Sequence, residues 1–215
     1  MSFIHHITHL QLDSLKEIGN IGAGNAATAL SRLLNKKVDM KVPDVRIVSF
    51  DEMMEMAGGT ETVVAIVFFR IEGDAPGSMF FLLPLKQASS FISQLTGEET
   101  NIGDQPYFSE LASSALKELS NILAGSYLSA LSDFTHLNIY PSIPYLAVDM
   151  AGAVISQGLI EISHAGDYAI VINTALHEED GKSRNNMDGQ FYLIPDPESF
   201  EIIFKALGVN ENGSC

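Results

Sequence analysis

Cysteine is nearly absent from this sequence: of 215 residues only the last, Cys215, carries a thiol. Neither a disulfide framework nor a cysteine-built metal site can form within one chain, so a reducing, cytoplasmic setting is expected. In that setting the sequence Asn212-Gly-Ser is not a glycosylation acceptor. Basic residues are scarce too, 12 against 27 acidic ones, for a net charge of −15. Such a surface repels phosphate backbones and no Lys/Arg cluster offers a local exception, so nucleic acid is not an expected partner. No apolar run reaches the roughly 18–20 residues of a membrane span. The start, Met1-Ser-Phe-Ile-His-His, lacks the basic and apolar regions of a signal peptide. Also missing are a Walker-type Gly-x-x-x-x-Gly-Lys, a Gly-x-Ser-x-Gly elbow and any interior cysteine for thiol chemistry.

What is present is a hydrophobic fraction of 46%, ample for a packed core, and an internal duplication. The segment Leu15-Lys-Glu-Ile-Gly-Asn-Ile-Gly-Ala-Gly-Asn-Ala-Ala-Thr-Ala-Leu-Ser31 aligns without gaps on Leu116-Lys-Glu-Leu-Ser-Asn-Ile-Leu-Ala-Gly-Ser-Tyr-Leu-Ser-Ala-Leu-Ser132. Ten of the seventeen positions are identical, and the offset of 101 also relates Pro43 to Pro144. A weaker match sets Phe80-Phe-Leu-Leu-Pro84 against Phe191-Tyr-Leu-Ile-Pro195.

Each half opens on a helical apolar period, over residues 10–34 and 107–132, which predicts a long amphipathic helix. Strand-like runs follow at 45–50, 63–71 and 79–83, then at 159–163, 168–174 and 191–194. A closing helix is expected after Pro84 and after Pro195, the latter with Asp196-Pro197 as N-cap and first-turn pair. Ser49-Phe-Asp-Glu52 is a capping box for a short helix ending at Gly58-Gly59. Two half-size units of so few strands would leave sheet edges and a sheet face bare, and pairing them about a pseudo-two-fold axis removes both problems. The expectation is an α+β fold, an α/β sandwich with the long helix of each half packed on a β-sheet. It forms one domain over 1–215 from two repeats, residues 1–100 and 106–207. Residues 97–105 link the halves, and 208–215 form a disordered tail.

Some tempting motifs carry little. His5, His6 and His9 lack partner acids and a counterpart in the second half, so no metal site is expected. Gly19, Gly22 and Gly24 resemble a phosphate loop, but no strand precedes them and the second copy keeps only Gly125. Close packing near Gly24 and Gly125 is the better account. Met53, Met54 and Met56 suit the packed face of a short helix.

One pattern stands out. Asp13, Glu17 and Asn20 lie at i, i+4 and i+7, and Ser114, Glu118 and Asn121 repeat the spacing, so each set shares one helix face. A single such stripe would be an ordinary solvated face. Neighbouring positions diverge between the copies, as in Asn25/Ser126 and Thr28/Ser129, while Glu and Asn both persist. Asn is a mediocre helix former, and tying the helix to a neighbouring loop is the structural alternative.

The pattern Asp/Ser-x-x-x-Glu-x-x-Asn-x(22)-Pro thus occurs twice, through Asp13, Glu17, Asn20, Pro43 and through Ser114, Glu118, Asn121, Pro144. It resembles the CheC/CheX/FliY family of chemotaxis phosphatases, across essentially the whole chain. Two copies without an extra C-terminal domain are most similar to the CheC branch. The resemblance implies hydrolysis of the aspartyl-phosphate of the response regulator CheY. Asn20 and Asn121 would orient the attacking water, and Glu17 and Glu118 would dock the substrate protein. Pro43 and Pro144 would shape the following turn, with Asp13 and Ser114 in support. No cofactor of its own is implied, since Mg²⁺ sits in the response regulator. A second implied partner is the receptor deamidase CheD, with the surface around Asp149 as candidate contact. The competing reading is a non-catalytic scaffold that binds CheY-phosphate or CheD. A monomer is expected, because the partner half is already attached.

Overall fold

The computed structural model describes residues 7–97, 108–161, 168–180 and 183–208. The first half runs α1 (His9–Leu34), β1 (Val38–Ser49), α2 (Phe50–Met56), β2 (Val63–Gly73), β3 (Gly77–Pro84) and α3 (Leu85–Thr96). The second half repeats the order as α4 (Glu110–Thr135), β4 (Ile139–Pro141), β5 (Tyr145–Met150), α5 (Ala151–Glu161), β6 (Tyr168–Asp180), β7 (Ser183–Pro195) and α6 (Pro197–Ala206). The one departure is that β4 and β5 together stand where β1 stands. All strands join one antiparallel sheet in the order β1-β6-β7-β3-β2-β4, with β5 also paired to β2.

The two halves meet at β3 and β7. The sequence match makes Phe80 the counterpart of Phe191 and Phe81 that of Tyr192. The register pairs Phe80 with Tyr192 and Phe81 with Phe191, as a two-fold axis through that point requires. The rings of Phe81 and Phe191 stack there with centroids 4.4 Å apart. The first strand of each half is exchanged: β1 pairs with β6 of the second half, and β4 and β5 pair with β2 of the first.

The expected sandwich is present, with both sheet faces covered. Ala65, Val67, Phe69, Met79, Phe81, Leu83, Phe191 and Leu193 face a core closed by α1, α4, α3 and α6. Val64, Ile66, Phe80, Leu82, Tyr192 and Ile194 face a smaller core with Met53 and Ala57 from the α2 region and Ala151 and Ile155 of α5. Burial on both faces is why β2 is a continuous apolar run and not an alternating one. Met53 is buried in that core, as a packed short helix requires, with Met54 and Met56 partly buried against it.

Local chemistry sets the boundaries. Ser49 and Glu52 form the expected capping box, and α2 gives way to Gly58 and Gly59, both at positive φ. A second box, Thr8 with Gln11, opens α1 and had not been read from the sequence. Asp196 occupies the N-cap of α6 without a side-chain capping bond. Its carboxylate is taken by the Arg70 guanidinium, with Nη1 donating to Oδ1 at 3.0 Å.

Three expectations need correction. Residues 159–161 are helix and not the start of a strand, since α5 continues to Glu161, and 162–163 lie outside the described residues; a short apolar stretch suits either state. The sequence also hid β4, β5 and the first half of β1, whose periods are interrupted by Pro43, Pro141 and Pro144. Finally, Gly24 and Gly125 do not mark a close approach, since a Cβ at either would meet nothing within 4 Å. The tight spot is Gly22, where a Cβ would fall 2.8 Å from Tyr127 Cδ1 and 2.9 Å from its Cα, at the contact of α1 with α4. His5 and His6, most of the 97–105 link and the tail beyond Gly208 lie outside the described residues.

Gly22→Ala is therefore expected to lose ~1–2 kcal/mol through overpacking. Gly24→Ala and Gly125→Ala should each gain about 0.5–1 kcal/mol from helix propensity alone. Urea unfolding of the three variants, at unchanged m-value, checks both signs.

Candidate active site

The long helices owe their placement to one buried stripe each. Leu15, Ile18, Gly22, Ala26 and Leu30 of α1 face the core, as do Leu116, Leu119, Leu123, Leu128 and Leu131 of α4. The opposite faces carry the repeated pattern. Asp13 and Glu17 are exposed on α1, and Ser114, Glu118 and Asn121 are exposed on α4. Gly24 and Gly125 lie one turn beyond each Asn on the same stripe, where packing asks for no glycine. They leave open ground beside each amide, a feature visible only once their surroundings are known.

The two asparagines differ sharply. Asn20 is half-buried and fully engaged: its Oδ1 accepts from Val42 N–H at 2.9 Å, and its Nδ2 donates to Lys16 O at 3.1 Å and to Val42 O at 3.4 Å. An amide has two N–H donors, and both are committed. Asn121 has no hydrogen-bond partner among the described residues, and its amide faces solvent.

The backbone explains the tie. Between Lys41 and Asp44 the register of β1 against β6 shifts, Lys41 pairing with Ala175 and Asp44 with Asn173, so β1 carries one extra residue. This is a β-bulge, and it turns the Val42 amide and carbonyl out of the ladder. Asn20 takes both. Pro43, beside Val42, has no N–H to lose and fits the bulge. It therefore sits inside a strand and not at the turn expected of it.

The second copy carries the same extra residue, since Ile71 pairs with Pro141 and Phe68 with Tyr145. Here Ser142–Pro144 leaves the strand altogether, splitting β4 from β5. Ser142 N–H donates to Arg70 O, and its hydroxyl accepts from Arg70 N–H. Ile143, the counterpart of Val42, is 89% exposed where Val42 is 1% exposed.

Between the helices, Tyr127 hydrogen-bonds Thr174 Oγ1 at 2.8 Å, and its ring meets Phe191 edge-on. Burial pushes its phenol up to about 12, against the lowering effect of the Thr174 bond, so it stays neutral and is no acid–base group. His9, the first residue of α1, is exposed, and so is Asp149, next to last in β5, its Oδ1 accepting from Met150 N–H at 2.7 Å.

The sequence model of the CheC-like family matches residues 10–47 and 111–146, which are the two pattern copies. The CheY-P phosphatase CheC of Bacillus subtilis (strain 168) is 46% identical over 210 residues, covering 98% of this chain and 100% of that protein. The chain belongs to the CheC-like family. The flagellar motor switch phosphatase FliY of the same organism is 31% identical over 129 residues, 60% of this chain and 33% of that protein. The crystal structure of Thermotoga maritima FliY shares the fold, with a TM-score of 0.71 at 20% identity over 94% of this chain and 98% of that one. The CheC-like architecture thus presents its repeated pattern on two helices of one sheet-backed body.

Truncating Asn20 to Ala orphans a buried backbone N–H and is expected to lose ~1–3 kcal/mol of stability. Asn121→Ala should stay within about 0.5 kcal/mol, as exposed substitutions do. Thermal and urea unfolding of the two single variants measure the contrast.

Proposed function

We propose that this CheC-like protein hydrolyses the aspartyl-phosphate of the response regulator CheY. One observation carries the reading: the exposed face of α4 presents Glu118 and Asn121 with the Asn121 amide free of intramolecular partners among the described residues. The names of the CheC and FliY relatives, both phosphatases, support the same chemistry.

An acyl phosphate is already activated, and a response regulator brings its own Mg²⁺ and lysine to neutralise the phosphoryl oxygens. What remains is to place a water in line with the leaving carboxylate, a task of positioning and electrostatics. Asn suits it: the carbonyl accepts from the water, the NH₂ donates to a phosphoryl oxygen, and no charge repels the phosphate. The water oxygen bonds to phosphorus, the bond from phosphorus to the aspartyl oxygen breaks, and the proton lost by the water ends on the released phosphate. Glu118, one turn before Asn121, docks on a lysine of the partner through a charge-assisted hydrogen bond. Glu17 and Asn20 form the corresponding pair on α1. Gly24 and Gly125 leave clearance for the partner beside each amide.

Among the described residues the first strand of each half already pairs with the other half, which supports a monomer as the working form. CheD is its second partner, and the end of β5 offers the contact. Asp149 is exposed there, with Tyr145 67% and Met150 46% exposed on the same strand. An exposed carboxylate on a strand that also exposes apolar side chains offers a docking surface.

Replacing both Asn20 and Asn121 by Ala should slow phosphate release from phosphorylated CheY by ~10²–10³, the scale of losing a preorganised polar contact at a transition state. Binding of the phosphorylated partner should survive. Acceleration by the native protein only at stoichiometric amounts would favour the scaffold reading instead. Asp149→Arg is expected to weaken CheD binding at least ~10-fold by charge reversal while leaving phosphate release intact. Titration calorimetry beside the turnover assay separates the two effects.

A further inference from the structure

The two copies of the pattern share their Glu–Asn pair and are unequal in structure, and they differ at the residue that packs against the bulge. Val42 is buried against Gly19, where a Cβ would stand only 3.3 Å from Val42 Cγ2. The counterpart of Gly19 is Ser120, fully buried, with its hydroxyl bonded to Leu116 O at 2.7 Å. With a side chain at that position, the residue corresponding to Val42 would have to give way by a few tenths of an ångström or more to seat against the helix. Ile143 stands in solvent instead, and Asn121 is left without a backbone to hold.

We propose that Gly19 creates a latch: it lets Val42 dock on α1, the Val42 backbone captures the Asn20 amide, and the first site is held shut while the second stands open. The proposal rests on the phosphatase reading above and adds which copy works and what restrains the other. Asn20 cannot donate to a phosphoryl oxygen and hold Val42 at once, because both its N–H groups are already donated, and its Oδ1 already accepts from Val42 N–H. Opening the first site means exposing a buried, unpaired Val42 N–H and carbonyl. Such a penalty keeps its competent population about ten- to a hundred-fold below that of the second site. Gly19 acts here as a positioning residue, through Val42 and Asn20. The second half is the built-in comparison: the same bulge, the same Asn, and no latch.

The test uses the full chain and CheY phosphorylated with acetyl phosphate. Asn121→Ala alone should leave at most about a tenth of the turnover, while Asn20→Ala alone should remove only a minor share per folded molecule. In the Asn121→Ala background, Gly19→Ser installs the second copy's residue. It should raise turnover several-fold and speed hydrogen exchange of the Val42 amide about ten-fold. Adding Asn20→Ala to that double variant should abolish the gain. Gly19→Ala is the smaller step should the serine prevent folding, and it should move both readouts in the same direction. Equal losses from the two single Asn variants would overturn the latch, as would faster Val42 exchange with no gain in turnover. Turnover untouched in the Asn20/Asn121 double variant would instead sink the phosphatase reading on which the latch depends.

Discussion

The pairing of β3 with β7 is the contact on which the rest of the structure depends. It sets the pseudo-two-fold axis between Phe80/Tyr192 and Phe81/Phe191, and it makes two short sheets into one of seven strands. The exchange of first strands follows from it: β1 finds its partner in β6, and β5 finds its own in β2. Neither half alone has a partner for its own first strand. The duplication is thus structural before it is functional, because an unpaired β2 or β6 edge would expose a row of backbone donors and acceptors. Helices α1 and α4 can then lie side by side on one face, with Gly22 admitting Tyr127 at their contact. Their outer faces are left for chemistry.

Within that frame, symmetry of sequence does not impose symmetry of state. Both first strands carry one extra residue next to the pattern proline, and both turn a backbone amide out of the ladder. In the first half the orphaned groups of Val42 are buried and must be satisfied, so Asn20 satisfies them. In the second half Ile143 is exposed and its carbonyl accepts from the Ser142 hydroxyl at 3.3 Å, so its backbone makes no demand on Asn121. Burial decides which use the amide is put to. A substitution as small as glycine for serine at the packing contact decides burial.

Much of this was legible beforehand, for reasons that can be named. The long helices, β2, β3, β7 and α2 were plain because helical apolar periods, apolar β-rich runs and a capping box fix them locally. The pairing of the halves followed from the repeat and the cost of bare edges. Residues 38–44 and 139–150 were not legible, because Pro43, Pro141 and Pro144 break the strand period while the strands themselves continue around bulges. The end of α5 was mistaken because an apolar run carries no period of its own. The Glu–Asn stripes were legible from their spacing. Their inequality was not, since it resides in hydrogen bonds to Val42 and in the fit of Val42 against Gly19, neither of which any residue type announces.

On the proposed mechanism the metal and lysine come from the substrate protein, and such a phosphatase leaves little on its own surface. A metal cage or a buried base distorts the pKa values and charge of its surroundings and advertises itself. A neutral amide and an exposed carboxylate do not. The distinguishing mark is availability, that is, whether the amide's donors and acceptor are already spent within the fold. By that measure the proposed site on α4 has its amide available, while the amide on α1 is spent on holding Val42. The two uses compete for the same atoms. A chain with two copies can commit one to the fold and keep the other for the substrate, which a single-copy arrangement could do only by opening and closing the same contact.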